Sequence, residues 1–214
     1  MEEQFWQTRW NTGKIAFHEG APNKFLITHF DVLEIDQGAH VFVPLCGKTS
    51  DLDWLYERGY RVTGIEFNRD AIEEVFERMS LIPDVEQKSG LTRFSSGRLT
   101  IWHGDFFLLP RGDVGTIDAV YDRAALVALP EDIRKEYAKY LVELTRNAPQ
   151  LLISYSYDQS QTEGPPFSVP ENTIRQLYGS NFNIERLESA DIKGPLAARC
   201  SGKEQTWKLS MKNG

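Results

Sequence analysis

The segment Val41–Leu52 reads VFVPLCGKTSDL: an apolar run, a turn with one glycine, then a polar stretch that opens a helix. Gly47, Lys48 and Thr49 match the end of a nucleotide-phosphate loop, GxxxxGK[ST], whose free backbone N–H groups wrap phosphates. Here the place of the first glycine is taken by Phe42, inside the apolar run, and Pro44 has no N–H to give. The phosphate cradle cannot form. A GxGxxG dinucleotide turn fails as well, because Gly47 is the only glycine available. What remains is a tight strand-to-helix turn, with Ser50 expected as the helix cap and Asp53 reinforcing the first helical turn.

Outward from this turn, short apolar runs alternate with amphipathic helical segments: HVFVPLC, SDLDWLYERG, RVTGIEF, NRDAIEEVFERM, RLTIWHGD, IDAVYDR, PEDIRKEYAKYLVELT and LLISYSYD. Strands rich in β-branched and aromatic residues, separated by helices, predict right-handed βαβ units and an α/β, doubly wound, largely parallel sheet. The last two runs, NIERLESAD and TWKLSMK, have no convincing helix between them and predict an antiparallel pair at the end of the sheet. Before the first strand, Phe5, Trp6 and Trp10 share one helical face, and Phe25, Leu26, His29, Phe30 and Leu33 recur at helical spacing. The whole chain, 1–214, is expected to be one domain: helical cover over 1–38 and an α/β core over 39–214.

Composition narrows the function. A net charge of −7 without any block of lysines and arginines argues against nucleic acid as a partner. No run approaches about 18 uninterrupted apolar residues, and Met1-Glu2-Glu3 begins no signal peptide, so the expectation is no membrane span and a cytoplasmic protein. Cys46 and Cys200 lack zinc-site spacing, and His18, His29, His40 and His103 form no i, i+4 pair, so no metal is expected.

Glu66 ends the run RVTGIEF, about 20 positions after the glycine turn, where a carboxylate can accept hydrogen bonds from both ribose hydroxyls and repel a 2′-phosphate. A nucleoside ligand without a phosphate cradle fits S-adenosylmethionine, whose sulfonium is also attracted to aromatic faces. Asp105, in GDFFLLP, is placed to read the adenine amine, or else to cap a turn.

FWQTRWNTGKIAFH, VFVPLCGKTSDL, VTGIEFN, YDRAALVALP and SYDQSQTEGPPFSVP, in this order, resemble the thiopurine S-methyltransferase family. The resemblance implies a Rossmann-like methyltransferase fold of seven strands, the last antiparallel, with N-terminal helices over the active site. It places Trp10, Leu45, Glu66 and Arg123 against the cofactor, with Gly47 in the same turn. Trp6 joins the aromatic cover, Asp105 and Phe106 form the adenine loop, and Phe17 lines the acceptor side. Arg199 is assigned to a second active-site arginine in a stretch that matches poorly. Where mammalian members tend to have glycine after the arginine, this chain has Ala124, expected to leave the site undisturbed.

The implied activity is methyl transfer from S-adenosylmethionine to an aromatic or heterocyclic thiol, leaving S-adenosylhomocysteine, by a monomer whose partner is a small thiol or chalcogen compound. Competing expectations are a methyltransferase for halide, hydrosulfide, small thiols or selenium and tellurium species, and a cofactor-binding module without turnover.

Overall fold

The computed structural model describes Thr8 and residues 20–212. One nine-stranded sheet runs through it, in the order β3-β4-β5-β2-β1-β6-β7-β9-β8. The strands are β1 (His40–Val43), β2 (Arg61–Glu66), β3 (Asp84–Lys88), β4 (Leu91–Ser96), β5 (Leu99–His103), β6 (Ala119–Arg123), β7 (Gln150–Tyr157), β8 (Phe182–Asp191) and β9 (Gly202–Met211). β5, β2, β1, β6 and β7 are parallel, while β9 pairs antiparallel with both β7 and β8.

The parallel core and the antiparallel end agree with the sequence reading, but the count is nine rather than seven. The addition is the β3–β4 hairpin on the β5 edge, turned by Ser89 and Gly90 at φ 54 and 82. Two consecutive left-handed residues give the turn whose twist matches a hairpin. β3 is exposed along its whole length, so it carries no apolar alternation by which to recognise it.

Because strand side chains alternate between faces, each parallel strand feeds two cores. Val41, Val43, Ala119, Tyr121, Leu151 and Ile153 face one side. They meet Phe25 and Leu26 of α1 (Lys24–His29), Leu52 and Leu55 of α2 (Asp51–Glu57), and Ile72, Val75 and Phe76 of α3 (Arg69–Arg78). Phe42, Val120 and Leu152 face the other side, with Val114 of α4 (Arg111–Val114), Tyr137 and Leu141 of α5 (Glu131–Thr145) and Ile174 and Tyr178 of α6 (Glu171–Tyr178). Burial on both faces is why these strands read as unbroken apolar runs.

Three local details depart from expectation. Ser50 is the N-cap residue of α2 but makes no cap hydrogen bond; the Asp51 N–H instead donates to Thr49 Oγ1 at 3.3 Å. The stretch before β9 holds a one-turn helix, α7 (Gly194–Ala197). Lys48, of a residue type that ordinarily extends into solvent, is paired with Glu74 of α3 at 2.5 Å, with only 16 % of its side chain exposed.

Candidate active site

Strand order reverses where β1 lies between β2 and β6, and ligands of open α/β sheets bind beyond the strand C-termini at such a point. The turn after β1 occupies that place. Leu45 and Gly47 both have positive φ, 45° and 53°, in the left-handed region that costs a side-chain-bearing residue strain. The Cys46 N–H donates to the Ile65 carbonyl at 3.0 Å, fastening the turn to β2. Gly64 permits this approach: a Cβ there would lie 2.7 Å from Cys46 Sγ. Cys46 is enclosed, and burial pushes its thiol well above the ordinary range, with the Glu66 charge adding to the rise. It is an inert packing residue rather than a nucleophile.

Glu66, at the tip of β2, is 6 % exposed. Its Oε2 accepts the Gly47 N–H and its Oε1 accepts the Asn68 N–H, each at 2.8 Å. Burial raises its carboxyl above the usual range, opposed by the backbone donors of Asn68, Gly47 and Phe67. A carboxylate offers about four lone-pair sites, so with these backbone donors in place Glu66 keeps capacity to accept from a ribose hydroxyl.

The rear of the turn is clamped from α3. The Arg78 guanidinium donates to the Lys48 carbonyl at 3.0 Å and the Thr49 carbonyl at 3.3 Å, while gripping Asp53 through two nitrogens at 3.0 and 2.5 Å. Asp53 therefore serves this clamp as well as the start of α2.

Next to Glu66, the Gly104 N–H donates to the Glu66 carbonyl at 3.1 Å and brings the 104–109 loop alongside. Asp105 is exposed, and its carboxylate caps the following turn through the Phe107 N–H at 3.0 Å. Phe106 points inward, its ring 5.0 Å from that of Tyr137, so only its backbone is left to meet a ligand. At the end of β6, Arg123 is half-buried and its charge acts on Asp51 of α2. Arg199 is exposed elsewhere, on the segment after α7, where its guanidinium bonds Thr162 Oγ1 and links two loops. Trp6, Trp10 and Phe17 lie outside the described residues.

Two acidic residues here escaped the sequence reading. Asp122, wholly enclosed, accepts Tyr137 O–H at 2.8 Å and the Leu126 N–H at 3.1 Å, holding the turn after Arg123. Asp51, 1 % exposed, accepts the Asn23 N–H at 2.6 Å and Tyr121 O–H at 2.9 Å. The one available signal was their position, each beside a residue already singled out.

The sequence profile of the thiopurine S-methyltransferase (TPMT) family matches residues 1–210. The chain belongs to the thiopurine S-methyltransferase family. It is 48 % identical to the thiopurine S-methyltransferase of Xanthobacter autotrophicus over 210 residues, 98 % of this chain and 99 % of that one. To the enzyme of the same name from Teredinibacter turnerae it is 43 % identical over 210 residues, 98 % of each chain. Among solved structures, the Burkholderia thailandensis 1,6-didemethyltoxoflavin-N1-methyltransferase with S-adenosylhomocysteine superposes with a TM-score of 0.62 at 15 % identity, covering 97 % of this chain and 86 % of that one. Magnesium protoporphyrin IX methyltransferase from Synechocystis gives 0.62 at 15 %, covering 96 % and 94 %. The chain is thus a methyltransferase, with the sequence PLCGK in the turn after β1. Among the described residues no group of three or more His, Cys, Asp or Glu is arranged to hold a metal ion, and no helix is long and apolar enough to cross a membrane.

Proposed function

We propose that this enzyme moves the methyl group of S-adenosylmethionine onto the sulfur of an aromatic or heterocyclic thiol, such as a thiopurine, and releases S-adenosylhomocysteine. The observation that carries the reading is the buried Glu66 carboxylate, fixed by the Gly47 N–H beside a turn that cannot cradle phosphate. When bound, the cofactor supplies an electrophilic methyl on a sulfonium.

Glu66 holds the ribose, the Leu45–Gly47 turn receives the amino-acid end, and the loop at Asp105 and Phe106 borders the adenine. Methyl transfer to a thiolate neutralises a cation and an anion together, so the protein needs little covalent chemistry. Alignment of the two sulfurs with the methyl and exclusion of water supply most of the acceleration, about 7 to 11 kcal/mol in favourable cases. Arg123 favours the anionic acceptor, while Trp6, Trp10 and Phe17 form an aromatic cover and Arg199 a second acceptor contact. The reading includes a cytoplasmic monomer acting on a small molecule.

Melting the protein with S-adenosylhomocysteine, NAD and ATP in parallel tests the cofactor; at about one hundred times Kd the true ligand stabilises by about 2.7 kcal/mol. A response to ATP alone overturns the reading. Acceptor profiling then separates aromatic thiols from halide, hydrosulfide and selenium or tellurium species. Arg123→Ala is expected to cut kcat/KM for a thiopurine while S-adenosylhomocysteine still binds, and unchanged turnover would remove Arg123 from the mechanism.

A further inference from the structure

We propose that Tyr140 is a positioning residue that sets the 104–109 loop to recognise an adenine base, an inference that rests on the S-adenosylmethionine reading above. The loop follows β5 and is fastened at both ends. At its entry the Gly104 N–H donates to the Glu66 carbonyl at 3.1 Å. Glycine is required there, because φ is 141° and a Cβ would lie 2.3 Å from Leu91 Cδ2. At its exit the Leu109 carbonyl accepts the hydroxyl of Tyr140, on α5, at 2.8 Å. Between these two points Asp105 and Leu108 are exposed, so the middle of the loop is held through rings. The Tyr140 ring meets Phe106 edge-on at 5.3 Å and Phe107 at 5.8 Å, and those two rings meet each other at 5.4 Å.

Tyr137 and Tyr140 are three residues apart on α5 and so share a face of that helix. Tyr137 holds Asp122 at the end of β6, while Tyr140 holds the loop after β5. One helix thus fixes two segments at the rim of the site. Packing does not account for the Tyr140 hydroxyl, since phenylalanine would keep every ring contact. What the hydroxyl adds is the bond to the Leu109 carbonyl. Burial and then the Asp105 charge raise its pKa, so it keeps the proton that it donates. Leu109 is fully enclosed, and a buried carbonyl left without a donor is costly, so without the hydroxyl the loop exit would shift toward water. Asp105 would shift with it. Its carboxylate can accept from the exocyclic amine of adenine but repels the oxo group that replaces that amine in hypoxanthine. The position of the loop is therefore read as a preference between the two bases.

The test is calorimetric titration of the full chain, wild type and Tyr140→Phe, with S-adenosylhomocysteine and with S-inosylhomocysteine, and Tm alongside. Wild type is expected to prefer the adenosyl compound by about tenfold or more, the range for one hydrogen bond to a charged group. Tyr140→Phe is expected to raise the S-adenosylhomocysteine Kd about threefold to tenfold and the S-inosylhomocysteine Kd less than about twofold. A hydroxyl with a purely structural role would lower Tm and move both Kd values alike. Equal rises, or an unaltered S-adenosylhomocysteine Kd, overturn the inference. Should Tyr140→Phe fail to fold, Phe107→Leu loosens the same loop while leaving the hydroxyl in place; it must narrow the preference too, and an unaltered preference overturns the proposal. A wild type that binds both compounds equally sinks this inference and leaves the cofactor reading standing. A wild type that binds neither sinks the cofactor reading itself.

Discussion

Ala124 stands at φ 63°, directly after Arg123. A Cβ in that left-handed region costs about 1–2 kcal/mol, against which glycine gives up roughly 0.5–1 kcal/mol of chain entropy. The exchange of glycine for alanine at this position is therefore less neutral than the sequence reading expected. Ala124→Gly should stabilise the protein by about 0.5–1 kcal/mol and raise Tm by about 1–4 °C in a chain of this size. A lower Tm would mean that the enclosing contacts, including the Asp122 bond to the Leu126 N–H, prefer the stiffer residue. Apolar runs marked the strand ends at which Gly47 and Glu66 sit, and the family resemblance added Leu45 and Arg123 at two such ends. Asp51 and Asp122 could not be ranked above their neighbours, since enclosure by Asn23, Tyr121 and Tyr137 exists only after folding.

Among the elements, α3 does more than cover the sheet. Its apolar stripe of Ala71, Ile72, Val75 and Phe76 seats it, and its last turn delivers Arg78 to the back of the turn after β1. A backbone that places Leu45 and Gly47 in the left-handed region needs such outside support to keep one conformation. Arg78→Met keeps the aliphatic stem and removes the clamp. Its guanidinium is a third exposed, so the expected stability loss is modest, about 1 kcal/mol. S-adenosylhomocysteine Kd should rise several-fold in calorimetry; a lower Tm with an unaltered Kd would show that the clamp serves only α3. The helical stripe was readable from the sequence, whereas the destination of Arg78 depended on how α3 crosses β2 and α2. The β3–β4 hairpin was unreadable for a different reason: an edge strand with water on every side chain has no periodic signature.

For the whole molecule, enclosed acids set the pH response. Burial raises the carboxyls of Asp51 and Glu66 and takes Asp122 up to about 6, against the opposing Tyr137, Leu126 and Ala125 hydrogen bonds. A raised carboxyl binds its proton more readily folded than unfolded, so its contribution favours the fold below the unfolded value and is lost as pH rises through the folded one. For Asp122 that window runs from about 4 to about 6, worth on the order of 3 kcal/mol. His40 acts oppositely: burial lowers its pKa, outweighing the Thr116 hydrogen bond, and costs stability as pH falls through its ordinary range. Denaturant unfolding of wild type and Asp122→Asn isolates the acid, because His40 is common to both. Wild type should gain stability relative to the variant between pH 7.5 and pH 4.5; a constant difference would mean that Asp122 titrates at an ordinary value.

The local chemistry of VFVPLCGKTSDL, with Phe42 and Pro44 where a phosphate loop needs glycine and free N–H groups, excludes from the sequence alone a phosphate cradle at this turn. Apolar periodicity determined the parallel core, because strands buried on two faces must carry continuous apolar runs. Tertiary structure decided what depends on distant partners: which carboxylates lose their water, which backbone carbonyls Arg78 reaches, and that Asp51 meets the Tyr121 hydroxyl. Desolvation and hydrogen bonding across the fold are properties of assembled neighbours, and residues 51 and 121 become neighbours only when α2 packs on β6.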